Sequence, residues 1–93
     1  MIGVIATIKI KEGTADDFEA AANLLVEKVI ANEEGVVHYD LYKQDDTTYV
    51  FLERYQDEAA LDLHRKTEYY KEIGGQMGAF MAGAPDIQVL KSV

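Results

Sequence analysis

An α+β fold, with helices laid over one face of an antiparallel sheet, is what this sequence predicts, and three observations predict it. Apolar and polar residues alternate with the period-two pattern of a strand in Ile2–Lys11, Val36–Gln44 and Thr48–Tyr55. Between the first two of these lies a stretch whose apolar residues recur at helical spacing, and another such stretch follows the third. Only Asp45-Asp46-Thr47 separates the second alternation from the third, a connection short enough to demand an antiparallel hairpin.

In the first strand Ile2, Val4, Ala6, Ile8 and Ile10 share a side, opposite Gly3, Ile5, Thr7, Lys9 and Lys11. Glu12-Gly13 turns the chain, and Thr14 with Asp17 reads as an N-cap with an acidic partner near the positive end of the helix dipole. A helix is expected from Ala15 to Asn32, carrying Phe18, Ala21, Ala22, Leu25 and Val29 on one stripe, with Gly35 as its C-terminal stop. The second strand sets Val37, Tyr39 and Leu41 against Val36, His38, Asp40 and Tyr42. The third sets Tyr49, Phe51, Glu53 and Tyr55 against Val50, Leu52 and Arg54.

Asp57 is the expected N-cap of the next helix, whose Ala60, Leu63, His64 and Thr67 lie together. The helical pattern then continues through Tyr70, Ile73, Met77, Phe80 and Met81, and Gly74, Gly75 and Gly78 predict a break within it, since each glycine costs about 1 kcal/mol relative to alanine. Gly83 and Pro85 end it, and a last strand with Ile87, Val89 and Leu90 closes the chain from Asp86 to Val93. The resulting order, β-α-β-β-α-β, is the ferredoxin-like arrangement.

Ninety-three residues make one domain, 1–93, and a chain that short buries roughly three-fifths to two-thirds of the surface its unfolded form exposes. A supplementary interface would help. The hairpin's second face keeps large apolar residues that a monomer leaves in water, so a homodimer joined sheet to sheet is expected. With 9 basic against 17 acidic residues the net charge is −8, which argues against nucleic acid and anionic membranes as partners. The absence of cysteine excludes disulfides and thiolate chemistry and fits a cytoplasmic location. The opening MIGVIATIKIKEG lacks a basic segment ahead of its apolar residues, so neither a signal peptide nor a spanning helix is expected there.

The residues with chemistry to offer concentrate between Thr48 and Thr67. His64 shares its stripe with Ala60 and Leu63 and so points inward, where it serves either as a base or as a packed, hydrogen-bonded core residue. Glu53 lies mid-strand among tyrosines, where an ionised carboxylate needs a partner, either His64 or a tyrosine or backbone amide. Arg54 points to the other face and is expected in an ion pair across a subunit interface, with His38 a surface or interface residue. No histidine and carboxylate cluster has metal-ligand spacing, and no Gly-rich phosphate loop follows a strand, so neither a metal nor a nucleotide or flavin cofactor is expected.

Three features together, Glu34-Gly35 followed by Tyr39, then Phe51-Leu52-Glu53-Arg54-Tyr55, then Asp57-Glu58-Ala59-Ala60 leading to His64, resemble the antibiotic biosynthesis monooxygenase family over nearly the whole chain. The resemblance implies a dimeric α+β barrel with a pocket between sheet and helices. It also implies oxidation of a quinol-like or phenolic small molecule by dioxygen with no cofactor. Such a reaction needs a base to make the substrate electron-rich, and His64 is the candidate, with Glu53 as the carboxylate beside it. Tyr39, Tyr69 and Tyr70 are candidates to meet a substrate oxygen, and Phe80, Met77 and Met81 to line an apolar cavity. Haem-degrading relatives carry an asparagine where Ala6 stands and a tryptophan that this chain lacks, which disfavours haem. Two other readings stand beside this one: an isomerase of a small sugar-derived signal, which would want a more polar pocket, and a non-catalytic binding module.

Overall fold

The computed structural model describes residues 1–93. In chain order the elements are β1 (Ile2–Lys9), α1 (Ala15–Asn32), β2 (Val36–Asp45), β3 (Thr48–Tyr55), α2 (Glu58–Lys66), α3 (Glu68–Gly78) and β4 (Asp86–Lys91). The strands form one antiparallel sheet in the order β2-β3-β1-β4, with the helices on one face. This is the ferredoxin-like α+β arrangement, with its second helical segment divided in two.

The apolar stripe of α1 closes the core as its spacing predicts. Phe18, Ala22, Leu25 and Val29 are at most 2% exposed, and they meet Ile8, Tyr49 and Phe51 from the sheet. Full burial of each larger side chain stabilises by about 1.5–3 kcal/mol. Phe18 packs on Tyr49 at a ring separation of 4.8 Å, and the Tyr49 hydroxyl reaches the sheet's rim to donate to Glu19.

Local details depart from the sequence reading in five places. Thr14 precedes α1, but its hydroxyl donates backward to the Lys11 carbonyl at 2.6 Å and leaves the first-turn amides of α1 without a side-chain cap. A bulge at Val37 shifts the register, so that Val36 pairs with Tyr55 and turns inward beside Tyr39 and Leu41, while Val37 is exposed. Leu61, not Leu63, is the buried partner of His64 on α2; Leu63 is 62% exposed.

The fourth departure concerns the helical break, which falls at Thr67 and not at the glycines. Thr67 is extended, its hydroxyl donates to the His64 carbonyl at 2.8 Å, and its oxygen accepts from the Tyr70 amide at 3.3 Å. One side chain thus ends α2 and caps α3, and α3 runs unbroken through Gly74 and Gly75 to stop at Gly78. Asp57 caps α2 as expected, accepting from the Ala60 amide at 2.8 Å.

The strand β4 pairs with β1 from Ile2↔Lys91 to Thr7↔Asp86, and its turned-in residues Ile87 and Val89 remain 44% and 49% exposed because no helix reaches over this edge. The segment before it is pinned to the end of β1, with the Lys11 amide bonded to the Phe80 carbonyl and the Ala82 amide to the Lys9 carbonyl, both at 2.8 Å. The face of the sheet away from the helices exposes Leu52, Tyr42 and Leu90 at 41%, 54% and 50%. Arg54 and His38 lie side by side on that face, both exposed, and Arg54 has no carboxylate within ion-pairing distance in the chain.

Gly35 is not a left-handed helix stop, because Gly13 is the chain's one glycine with positive φ. Its role is closeness: a Cβ at position 35 would lie 2.6 Å from the Cβ of Ala60, so the missing side chain lets the end of α1 approach α2. Gly35→Ala is therefore expected to destabilise the fold by about 1–3 kcal/mol, in the range of an overpacked core. Chemical denaturation of the single variant and of Gly35→Ala with Ala60→Gly checks this, the second change restoring much of the loss.

Candidate active site

Beneath the sheet, α2 and α3 enclose a cavity of about 350 Å³. Its walls are mostly apolar, with Val4, Ala6, Phe51, Leu61 and Met77 among them, and six side chains bring polar atoms: Tyr39, Glu53, His64, Arg65, Tyr70 and Lys71. Lys71 joins Arg65 on the helical side.

His64 is 2% exposed and surrounded by aromatic rings, with Tyr70 at 4.7 Å edge-on, Tyr39 at 5.1 Å and Tyr55 at 5.5 Å. Its Nδ1 lies 3.0 and 3.1 Å from the two carboxylate oxygens of Glu33. A carboxylate only accepts, so Nδ1 carries the proton and the lone pair belongs to Nε2. The Tyr69 hydroxyl donates to the same Glu33. Thr48 Oγ1 is the one side-chain polar atom both fully buried and unpaired, so Nε2, which has no partner in the chain, keeps open surface, and the cavity is where His64 has it. The hydroxyl of Tyr39, a residue 3% exposed, is likewise unpaired and likewise opens there.

Burial pushes the His64 imidazole below its ordinary pKa, outweighing the upward pull of Glu33, so near neutral pH the ring is an uncharged acceptor. Burial also raises Glu53 to about 7, against the downward influence of the Tyr55 hydrogen bond and of Arg65. The tyrosine hydroxyls stay protonated: burial and the bond to Glu33 push Tyr69 up to about 12, and burial raises Tyr39 and Tyr70.

The residues singled out from sequence are thus divided by the structure. His64, Glu53, Tyr39 and Tyr70 converge on the cavity, as do Met77 and Met81. Glu53 does not bond to His64; it accepts from the Tyr55 hydroxyl at 2.5 Å, one of the partners open to it. Tyr69 is drawn to Glu33 and does not line the cavity, and Phe80 faces a separate depression beside Asp17 and Leu24 of α1. The carboxylate that holds the imidazole, Glu33, was not among the sequence candidates. Its signal was present, because Phe18, Ala22, Leu25, Val29 and Glu33 continue one stripe, placing an acid at the next buried step. No group of three or more histidine and carboxylate side chains is arranged to hold a metal ion.

Comparison with known proteins places this geometry. The family profile described as antibiotic biosynthesis monooxygenase matches residues 1–75. A Bacillus subtilis relative named "Putative monooxygenase YcnE" is 37% identical over 73 residues, 76% of each chain. A crystal structure described as a "putative antibiotic biosynthesis monooxygenase" from Caulobacter crescentus superposes with a TM-score of 0.93 at 42% identity, covering 99% of this chain and 89% of that one. Another, described as an antibiotic biosynthesis monooxygenase, gives 0.91 at 32% identity over 100% of this chain and 99% of the other. The chain belongs to the antibiotic biosynthesis monooxygenase family.

Proposed function

We propose that the protein is a cofactor-independent monooxygenase that oxidises a quinol-like or phenolic small molecule with dioxygen in the cavity beside His64. The observation that carries this reading is an uncharged imidazole whose tautomer is set by Glu33 and whose free Nε2 opens into a largely apolar chamber. Nε2 takes the proton of a substrate hydroxyl, leaving a phenolate able to give electrons to dioxygen. One oxygen atom then bonds to a ring carbon and the other departs as water, so that a phenol and dioxygen become a quinone and water. Apolar walls keep bulk water from the reactive intermediate. They also favour an aromatic substrate over the sugar-derived alternative.

Tyr39 and Tyr70 present hydroxyls to the substrate oxygens, while Tyr69 acts one step back, helping to fix Glu33. Glu53, neutral below about pH 7, offers an O–H where its ionised form would repel the phenolate. The protein acts as a homodimer joined through the exposed apolar face that carries Leu52, Tyr42 and Leu90, with the barrel formed by the two sheets.

An oxygen electrode with a panel of quinols and hydroxyarenes tests the reaction. His64→Ala is expected to lower kcat by about 10²–10⁴, the usual worth of a positioned base. Glu33→Gln, whose amide can donate to Nδ1 and so move the proton to Nε2, is expected to lower kcat with circular dichroism unchanged. Oxygen uptake unaltered by His64→Ala in a folded protein overturns the assignment.

The pH profile has a defined shape. Activity falls as pH drops through a value below 6.5, where His64 takes up a proton, and falls again as pH rises through about 7, where Glu53 loses one. Glu53→Gln is expected to remove the alkaline limb and leave the acid limb. For the assembly, Leu52→Lys is expected to convert a dimer to a monomer in sedimentation velocity.

A further inference from the structure

The cavity's deep end offers uncharged hydrogen-bonding groups, but its helical side is different. Arg65 from the last turn of α2 and Lys71 from α3 both line it, and both are exposed at their tips. The break at Thr67 between the two helices puts them on one rim. Neither has a carboxylate within 4.0 Å, so both are free to meet an anion from outside the chain. Two cations without an ion-pair partner thus border one largely apolar chamber in a chain of net charge −8.

We propose that the substrate is an aromatic hydroxy compound bearing an anionic substituent, a carboxylate or its equivalent, which Arg65 and Lys71 hold at the rim while the ring and its hydroxyl enter toward His64. This rests on the monooxygenase reading for the fate of the ring, but not for its binding. Arg65 supplies a planar fork suited to a carboxylate, and Lys71 a mobile point charge beside it. No acidic side chain of the chain is within ion-pairing distance of either cation, which leaves both available to an anionic group of the ligand. Because both cations are partly in water, their effect is modest and screened by salt.

The test is isothermal titration of the full protein, under nitrogen, with 1-naphthol and with 1-hydroxy-2-naphthoate, at 20 mM and 500 mM sodium chloride. At low salt the naphthoate is expected to bind about tenfold more tightly than the naphthol, the scale of two partly screened charge contacts. High salt narrows the difference. Arg65→Gln with Lys71→Gln abolishes it. Equal affinity in the unaltered protein, or a preference that survives the double substitution, overturns the inference. Failure of both ligands to bind overturns it together with the cavity's role, whereas a charge-dependent preference without oxygen uptake removes only the reaction.

Discussion

A carboxylate sits where the chain should least favour one. Glu33 caps the C-terminus of α1, the negative end of the helix dipole, and is 8% exposed. No basic residue occupies the last turn of α1 to offset it. What holds Glu33 there is a set of donors from the other helices, His64 of α2 and Tyr69 of α3. Removing one of these donors leaves the buried carboxylate short of a hydrogen bond, which costs about 1–3 kcal/mol, and more for a charged group. The arrangement therefore ties three helices to one point, and the same point orients the imidazole that faces the cavity. Structure and chemistry share this constraint, which is why the polar centre of the molecule is so heavily ringed by tyrosine.

Burial around that centre does two further things. It holds His64 neutral although a carboxylate lies 3.0 Å away, and it raises Glu53 into the neutral range although Tyr55 and Arg65 both pull it down. Two groups that would differ by about two pKa units in water, acid below base, are thus brought together or reversed by their surroundings. That convergence is the electrostatic mark of a site more than of a packed core.

Much of the fold was legible because its signals are local. The period-two runs of β1 and β3 and the stripe Phe18 to Val29 of α1 needed no tertiary information, and they give the two central strands of the sheet and the helix that covers them. What escaped was set by contacts distant in sequence or by geometry without a composition signal. The bulge at Val37 has no glycine to announce it. The helix break at Thr67 depends on one hydroxyl serving two helix ends, whereas the glycines downstream look like breakers and are not. In the site, His64 was visible through its place on a helix face, but its partner lies 31 positions earlier, and Glu53, nearer in the sequence and flanked by tyrosines, drew the inference that belonged to Glu33.

Gly74 lines the chamber, and a Cβ built there would meet nothing within 4 Å. The room available to a guest molecule is thus partly the shape of an omitted side chain. Lengthening that one residue would shrink the space by degrees without disturbing the imidazole, its carboxylate or the rim cations. One substitution at this position can accordingly retune the chamber's volume while the groups gathered around His64 keep their places.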